Sequence, residues 1–287
     1  MNTPNLPELE GLEAFSVSIE EGIAHVQLNC PDTLNSMTEA FWRELPVLVR
    51  AIDRAAAARV IVISSTGRHF SAGMDLSVFM NMGSSFDGEP ARRGENFRRW
   101  VLELQGSFNA LEEARIPVLV AVQGACVGGA VDMISACCSR YCTSNAYFNI
   151  KETEIGMTAD VGTLQRLPHL IPQGLVRELA YTSRKLHADE ALRCGLVNQV
   201  FDTQEEMLEG VMLIAKRIAS NSPVAVAGTK HQLNYTRDHS VTDSLDYMAT
   251  WQSGMFQMPD VEEAMTAAME KRQAIYEDLW PTKSLMD

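Results

Sequence analysis

Two short apolar runs, each closing on a glycine-bearing turn, constrain the fold of this chain more than any other feature. The first is VIVISS at residues 60–65, followed by TGRHFSAG; the second is VLVAVQG at residues 118–124, followed by ACVGGAV. Runs of this length and composition are typical of buried strands. Gly128 and Gly129 then open a helical pattern. Because strand, glycine turn and helix recur in this order, the sequence predicts an α/β fold with a covered sheet.

The flanking segments predict a hairpin, two helices and a loop. In FSVSIEEGIAHVQLNC, apolar residues alternate on both sides of residues 20–22, which indicates a β-hairpin. Residues 38–58 and 97–113 carry helical apolar stripes, and we expect Pro46 to begin or kink a segment. Residues 81–96 are rich in Gly, Ser and charge, which predicts a mobile loop over a ligand site.

Strand signals fade beyond residue 165, apart from the short LVNQVF run at residues 196–201. Helical patterns dominate there instead, at residues 174–182, 205–219 and 241–274. We therefore expect an α/β core over residues 1–205 and a helical C-terminal region over residues 206–287.

The charge balance limits the partners of the chain. Its 24 Lys and Arg against 37 Asp and Glu give a net charge of −13. Nonspecific nucleic-acid binding depends on clustered Lys and Arg, so we expect no nucleic-acid partner. A polyanionic ligand would have to meet a local basic patch, although solvated surface charge explains most such residues. The candidates are Arg68, His69, Arg92, Arg93, Arg98 and Arg99.

Targeting and membrane signals are weak in this sequence. No apolar run reaches about eighteen residues, the length of a membrane-spanning helix. The opening MNTPNLPELEGLEAF has no basic or apolar leader region, and the closing KSLMD has no S-K-L ending. We expect a soluble cytoplasmic protein with no membrane partner.

The cysteines and histidines do not form a metal motif. With no export signal, we expect free thiols that are buried as small hydrophobes. The six are Cys30, Cys126, Cys137, Cys138, Cys142 and Cys194. The chain contains no C-x-x-C pair and no H-E-x-x-H. We therefore expect no metal site.

Three segments combine glycine with candidate chemical groups: HFSAGMDL (69–76), GACVGGAVDMISA (124–136) and KETEIGMTADVGTLQRLP (151–168). The turns at Gly73 and at Gly128–Gly129 each follow a buried strand. A single glycine pair is most simply a tight turn, but strand ends are where α/β folds place ligands. We expect exposed backbone N–H groups at these turns to face an oxyanion.

Acids accompany these turns in apolar surroundings. Asp132 follows Gly129 by three residues, and Glu152 and Asp160 flank IGMTA. Burial raises the pKa of a carboxyl group, as acid/base work near neutrality requires. Two simpler interpretations stay open: Asp132 caps its own helix, and the other two are surface-loop acids together with Glu154, for which the sequence suggests no partner. Without G-x-S-x-G, P-loop or G-x-G-x-x-G motifs, proton transfer beside an oxyanion hole is the remaining chemistry.

On these three segments the sequence resembles the crotonase (enoyl-CoA hydratase/isomerase) superfamily over nearly its whole length. Within it, GGAVDMISACCSRYCTSNAYFNIKETEIGMTADVGTLQRLP and RDHSVTDSLDYMATW are similar to the dienoyl-CoA isomerase group. The resemblance implies a core of repeated ββα turns, a helical trimerisation region and a homo-hexamer built from two trimers. It also implies an acyl-CoA substrate whose thioester oxygen is bound by the N–H groups of Met74 and Gly129.

The resemblance further implies that residues of the first two segments and Leu34 contact substrate or its CoA portion. These are Leu34, Ser71, Ala72, Gly73, Asp75, Leu76 and Gly128. Cys30 and Thr33 stand where basic residues are common in the family, which puts the phosphate contacts in doubt. Cys138 replaces a frequent aspartate, which we interpret as structural.

The resemblance also implies the catalytic acids. Asp132 and Glu152 occupy the positions of the two hydratase glutamates, whereas Asp160 stands at a position that is normally glycine in hydratases. An acid there is typical of a 3,5-dienoyl-CoA to 2,4-dienoyl-CoA isomerase of unsaturated fatty acid β-oxidation. Glu152 would remove the C2 proton, Asp160, deeper in the pocket, would protonate C6, and Asp132 would tune the pair, with no metal or redox cofactor. The alternatives are an enoyl-CoA hydratase and a catalytically silent acyl-CoA-binding scaffold.

Overall fold

A computed structural model describes residues 6–78, 80, 88–256 and 258–283 of the chain. It begins with the predicted hairpin, in which β1 (Phe15–Glu20) and β2 (Ile23–Leu28) pair in antiparallel fashion. The two-residue turn places Glu21 and Gly22 at φ of 50° and 77°. Positive φ at both turn residues suits the right-handed twist of the flanking strands.

The hairpin forms one edge of a six-stranded sheet with the order β1-β2-β3-β4-β6-β9. From β2 onward all neighbours are parallel. The added strands are β3 (Val60–Ser65), β4 (Val118–Val122), β6 (Ser139–Thr143) and β9 (Gln199–Phe201). A second sheet has the order β5-β7-β8, with β5 (Ala125–Val127), β7 (Tyr147–Asn149) and β8 (Leu186–His187).

Helices cover both faces of the six-stranded sheet. The α-helices of the described chain, which do not all contact this sheet, are α1 (Glu39–Arg54), α2 (Pro90–Glu113), α3 (Gly129–Ser135), α4 (Thr163–Arg166), α5 (Gln173–Thr182), α6 (Ala188–Cys194), α7 (Gln204–Ala219), α8 (Pro223–Asp238), α9 (Val241–Met255) and α10 (Met258–Glu270). In the described part of the chain, no helix combines the length and apolarity needed to cross a bilayer.

The sheet is covered as the sequence predicts, because every residue of β3 and β4 is buried. Alternate side chains of β3 enter different cores. Ile61 and Ile63 join the main core with α1, α2 and α3, whereas Val60 and Val62 pack with residues of α7. The alternation follows from the two-residue period of a strand. The predicted division after residue 205 stays a prediction, although α7 packs directly on the sheet.

Several element boundaries differ from the predictions. Residues 90–96, predicted as loop, are the first turns of α2, whose start is set by the Glu89 carboxylate accepting from the N–H groups of Ala91 and Arg92. Residues 81–87 of the predicted loop lie outside the described residues. The predicted helix over 241–274 is two helices, α9 and α10.

The helix α8 and the strands β5 to β8 were absent from the sequence prediction. The first turns of α8 read PVAVAG, in which Pro, Gly and β-branched residues mask a helical pattern. The side chain of Ser222 nevertheless caps this helix by accepting from Ala225 N–H. These strands have only two to five residues each, too few to show a clear alternation of their own.

The helix α1 continues through Pro46, so this residue does not begin a segment, and the predicted kink stays a prediction. Proline has no N–H, so it leaves the carbonyl of Trp42, four residues earlier, without its helical donor. The hydroxyl of Ser107 on α2 donates to that carbonyl at 3.2 Å, and both groups are buried. A side chain from the facing helix therefore supplies the bond that Pro46 removes.

We expect Ser107→Ala to lower the free energy of unfolding by about 1–3 kcal/mol, because the buried Trp42 carbonyl would lose its donor. Urea unfolding at constant protein concentration measures the loss. The matched background is Pro46→Ala, in which the backbone N–H of the introduced alanine can donate to Trp42 again. There the cost of Ser107→Ala should shrink. An equal cost in both backgrounds would contradict this account of Pro46.

Candidate active site

The two predicted glycine turns meet in the structure. Gly73 has φ of +89°, and a Cβ atom added to it would lie 2.6 Å from the carbonyl oxygen of Val127. Ser71 pairs with Cys126 of β5 in a parallel bridge. Because only glycine tolerates both the φ value and the contact, Gly73 lets the segment after β3 lie directly against the start of α3.

Two backbone N–H groups, those of Met74 and Gly129, belong to the segments that meet here. Met74 follows Gly73 and pairs with Met37 in a parallel bridge, while Gly129 is the first residue of α3. The Cβ position of Gly73 is 3.7 Å from the Cα atom of Gly128. Within the described residues, no acceptor is recorded for the N–H of Met74 or of Gly129. The arrangement is chemically able to bind an oxyanion, and its use as an oxyanion hole stays a prediction.

The other predicted contact residues divide by exposure. Ala72, Leu76 and Leu34 are exposed, and Ala72 N–H donates to the Leu34 carbonyl at 3.0 Å. Ser71 is fully buried; its hydroxyl donates to the Asn35 carbonyl at 2.7 Å and accepts from Gly73 N–H at 3.1 Å. The structure thus gives the Ser71 hydroxyl a role within the turn.

Asp75 stabilises the segment that leaves the turn. Its carboxylate accepts from the hydroxyl groups of Ser77 at 2.6 Å and Ser36 at 2.7 Å. These hydrogen bonds, that of Ser77 first, lower the pKa of Asp75. The side chain is therefore an anion committed to local contacts.

Asp132 is completely buried on α3. Its Oδ1 atom accepts from the N–H of Thr163, the first residue of α4, at 2.5 Å. Its Oδ2 atom has no hydrogen-bond partner among the described residues. Burial first, and then the nearby carboxyl group of Glu152, raise the pKa of Asp132 to about 7, against the hydrogen bonds from Thr163. Asp132 therefore caps a neighbouring helix and not its own.

Glu152 begins a single 3-10 turn, Glu152–Ile155, and is half-buried. A Cβ atom added to Gly128 would lie 3.3 Å from Glu152 Oε1, which places the carboxyl group against the start of α3. The Oε2 atom is buried without a partner in the described part of the chain. Burial raises the pKa of Glu152, and Asp160 adds to this rise against the lowering by local backbone N–H groups.

Asp160 is also half-buried, and burial raises its pKa. Its backbone carbonyl accepts from the side-chain amide of Gln105 on α2 at 2.7 Å. Asp160 interacts electrostatically with both Glu152 and Asp132. The three predicted acids therefore form one coupled cluster, whose titration belongs to the group. Exposure does not distinguish the depths of Asp160 and Glu152, so their order along a pocket stays a prediction.

The segment between the two half-buried acids is more exposed than its composition suggests. Ile155 is 53% exposed, and Glu154 is exposed but paired with Lys151 Nζ at 2.6 Å. Lys151 is thus the partner of Glu154 that the sequence did not suggest. Only Ala159 of the apolar stretch is buried. The interpretation as surface-loop acids thus holds for Glu154, whereas Glu152 and Asp160 turn inward.

The sequence did not reveal the residues that support the acids. Thr163 and Gln105 contact Asp132 and Asp160 through a backbone N–H and a backbone carbonyl, which no side-chain motif records. Met37 lies beneath the proposed donor, because its Sδ atom is 3.0 Å from a Cβ atom added to Gly129. A signal was available for Thr163 alone, as a residue that follows glycine at a helix start.

The basic residues and cysteines noted in the sequence have simpler structural explanations. Arg92 and Arg99 pair with Glu89 and Glu95 on exposed α2 turns. The six cysteines are free, as predicted, although Cys138 is exposed instead of buried. Among the described residues, no group of three potential ligands is placed to bind a metal ion.

The raised pKa of Asp132 predicts a pH-dependent stability difference. The unfolded chain ionises Asp132 near its ordinary pKa of about 3.9, whereas the folded chain does so at about 7. Between these values the folded state holds a proton that the unfolded state has lost. As the pH rises through this range, Asp132 therefore lowers the free energy of unfolding by up to about 1.4 kcal/mol per pH unit, and its contribution becomes constant above the folded pKa. Asp132→Asn removes this loss.

Urea unfolding between pH 5 and pH 8 should therefore show Asp132→Asn gaining on the wild type until about pH 7 and then running parallel to it. Asp75→Asn is the control. Because the pKa of Asp75 is lowered, both states are ionised throughout this range and its difference from wild type should not vary. A constant difference for Asp132→Asn as well would contradict the raised pKa.

Known proteins resemble this chain in sequence and fold. Residues 18–279 match the family model described as enoyl-CoA hydratase/isomerase. The mitochondrial Δ(3,5)-Δ(2,4)-dienoyl-CoA isomerase of Mus musculus is 46% identical over 260 residues, covering 89% of this chain and 79% of that protein. The peroxisomal isomerase of the same name from Arabidopsis thaliana is 39% identical over 264 residues, covering 91% of this chain and 95% of that protein.

The fold has solved counterparts. An enoyl-CoA hydratase from Bacillus anthracis superposes with a TM-score of 0.82 at 27% identity, covering 94% of this chain and all of that chain (100%). The predicted crotonase-like α/β fold is thus confirmed. The expectation of a cytoplasmic protein is wrong, because the relatives are named mitochondrial or peroxisomal. The resemblance to isomerases of this group is confirmed, and the chain belongs to the enoyl-CoA hydratase/isomerase family.

Proposed function

We propose that this protein is a Δ3,5-Δ2,4-dienoyl-CoA isomerase, acting on unsaturated acyl-CoA in β-oxidation. The observation that carries the proposal is a third carboxyl group, Asp160, coupled electrostatically to Asp132 and Glu152 beside two free backbone donors. Moving two double bonds requires proton removal at C2 and proton addition at C6. The names of the mouse and Arabidopsis relatives support this substrate class.

The first step is removal of a C2 proton by Glu152. Its raised pKa makes the carboxylate a stronger base than an exposed glutamate. The electron pair of the C2–H bond then delocalises over the diene and onto the thioester oxygen. The N–H groups of Met74 and Gly129 are the donors proposed to stabilise that oxygen, and each such donor is typically worth ~10²-fold or more in rate.

The second step is protonation of C6 by Asp160, whose raised pKa makes its acid form more populated than that of an exposed aspartate. The cycle begins with ionised Glu152 and protonated Asp160, and ends with these states exchanged. A proton must then pass between them before the next turnover. Because the carboxyl groups interact, one shared proton is the favoured state of the cluster. Asp132, with a pKa of about 7, adjusts that sharing from its buried position.

A hydratase is the second candidate, because Asp132 and Glu152 occupy the two acid positions of that reaction and a hydratase shares the fold. Hydration needs a carboxylate that can hold and activate water. Asp132 is fully buried, and its Oδ1 atom is already bonded to Thr163 N–H. This geometry favours the isomerase over the hydratase. A silent scaffold is disfavoured because three acids with raised pKa values are costly to retain without use.

We also propose that the chain assembles into the hexamer implied by its family resemblance. The support is a set of exposed apolar side chains on the last two helices, including Val241, Leu245, Met255, Met265 and Met269. An apolar groove of about 800 Å³ runs between these helices and α8. Exposed apolar area of this kind is typical of protein interfaces.

The proposed activity predicts conversion of a synthetic 3,5-dienoyl-CoA to its conjugated 2,4 isomer, visible as a new ultraviolet band. Asp160→Asn should lose ~10²- to 10⁴-fold in kcat, because a positioned acid would be missing. Asp189→Asn, which changes an exposed acid paired with Arg193, should behave as wild type. If the wild type leaves the dienoyl substrate unchanged but hydrates a 2-enoyl-CoA, the hydratase candidate replaces the isomerase.

A hydrogen-exchange experiment should distinguish the roles proposed for Glu152 and Asp160. In D₂O, Asp160→Asn should still exchange the C2 protons of the dienoyl substrate, because Glu152 and the oxyanion donors remain. Glu152→Gln should lose both exchange and isomerisation by at least ~10²-fold. Mass spectrometry and proton NMR of recovered substrate measure the exchange. Retained C2 exchange in Glu152→Gln would remove the role assigned to Glu152.

A further inference from the structure

A second charged cluster lies behind the acids and joins three helices. Arg166, at the end of α4, donates through Nη2 to Glu112 Oε2 at 2.8 Å and to Asn109 Oδ1 at 2.7 Å, and through Nε to Glu112 at 3.0 Å. Arg237 of α8 donates to the other oxygen of Glu112. Glu112 on α2 therefore binds two guanidinium groups, one at each carboxylate oxygen.

The cluster is partly withdrawn from water. The side chains of Arg166 and Glu112 are 12% and 18% exposed, and that of Arg237 is 31% exposed. Burial alone would raise the pKa of Glu112, but Arg237 and Arg166 together hold it below its ordinary value. Glu112 is thus ionised at neutral pH. Fork-like bonds from arginine to a partly buried carboxylate are directional, so they define where each partner lies.

Arg166 returns onto the segment that carries the active-site groups. Gly162 has φ of +137°, and a Cβ atom there would collide with the Arg166 guanidinium. Asp160 lies two residues before Gly162, and Thr163, whose N–H donates to Asp132, directly follows Gly162. The segment 160–166 therefore supplies one catalytic acid directly and holds a second through its backbone.

The same helix, α2, holds both ends of this segment. Gln105 donates to the carbonyl of Asp160 at one end, and Asn109 and Glu112 bind Arg166 at the other. A cleft of about 440 Å³ lies between α2 and residues 161–166, so polar bonds span the gap on this side. The helix α4 has only four residues, and so short a helix is not stable without contacts from outside.

We propose that Arg166 is a positioning residue, which through Glu112 and Asn109 on α2 sets the place of Asp160 and of the Thr163 N–H that binds Asp132. It acts through these groups and does not touch substrate. The kinetic part of this proposal rests on the proposed isomerase function, whereas the structural part does not.

The test compares two arginines that share one partner. Arg166→Gln and Arg237→Gln each leave Glu112 with a single guanidinium partner, so both perturb that carboxylate. Only Arg166 belongs to the segment 160–166. Within the described residues, Arg237 makes no hydrogen bond to that segment; its partners are Glu112 and Asp238. Arg237→Gln is therefore the matched control.

Two measurements apply to both variants. One is steady-state kinetics with the 3,5-dienoyl-CoA substrate, separating kcat from KM. The other is amide hydrogen–deuterium exchange of the peptide that covers residues 158–167, which needs no substrate. We expect Arg166→Gln to lower kcat by ~10- to 10²-fold with little change in KM, since misplacement of order 1 Å has that effect.

The same variant should speed exchange in the 158–167 peptide by ~10-fold, as a local opening would. Arg237→Gln should match the wild type in both measurements. Arg166→Lys, which keeps the charge but cannot reproduce the three guanidinium hydrogen bonds to Glu112 and Asn109, should show both effects at smaller size. If Arg166→Gln fails to fold, the Arg166→Lys variant tests the same proposal.

Equal effects of Arg166→Gln and Arg237→Gln would overturn the proposal, because they would assign the whole effect to Glu112 and general stability. Wild-type kcat and exchange in Arg166→Lys, or in Arg166→Gln, would overturn it as well. If the wild type shows no isomerase activity, the proposed function fails instead, and the exchange comparison still decides the positioning role.

Discussion

The approach of Gly73 to the Val127 carbonyl is the constraint on which the rest of the site depends. It is possible only where a residue has no side chain and a positive φ. It brings the segment after β3, which continues into Met74, against the residues that precede Gly129 at the start of α3. The same contact determines where α3 begins, and thereby where Asp132 enters the core. A larger residue at position 73 would separate all of these groups.

The position of α3 creates an electrostatic cost that the surrounding structure only partly offsets. Asp132 and Glu152 each have one buried oxygen atom that finds no hydrogen-bond partner among the described residues. Buried carboxylates without partners favour the protonated form. The hydrogen bonds from Thr163 oppose this for Asp132, yet its pKa still rises to about 7. The raised pKa of Asp132 therefore lowers the free energy of unfolding at and above neutral pH. The same burial gives the carboxyl groups the raised pKa values that the proposed proton transfer would use.

The sequence predicted the parts of the molecule that depend on local pattern. The limits of β3, the hairpin around Glu21 and the opening of α3 at Gly129 all follow from apolar periodicity or turn chemistry. The acids were found for a similar reason, because carboxyl groups are conspicuous in apolar segments. What it could not predict depends on long-range partners. Pro46 lies inside α1 because Ser107, 61 positions later in the chain and on another helix, bonds to Trp42.

Support for the acids shows the same limit in sharper form. Each of these contacts has a backbone group on one side, the N–H of Thr163 for Asp132 and the carbonyl of Asp160 for the Gln105 amide. Every residue type carries such backbone groups, so composition cannot reveal the pairing. Arg166 and Glu112 are 54 positions apart and would each pass for solvated surface charge. Only the path of α2 beside the segment 160–166 joins them. A short helix with a proposed catalytic acid before it and an arginine at its end needs such an external anchor, because its own hydrogen bonds are too few to hold it. The placement of the groups proposed to transfer protons therefore depends on α2 as much as on the acids themselves.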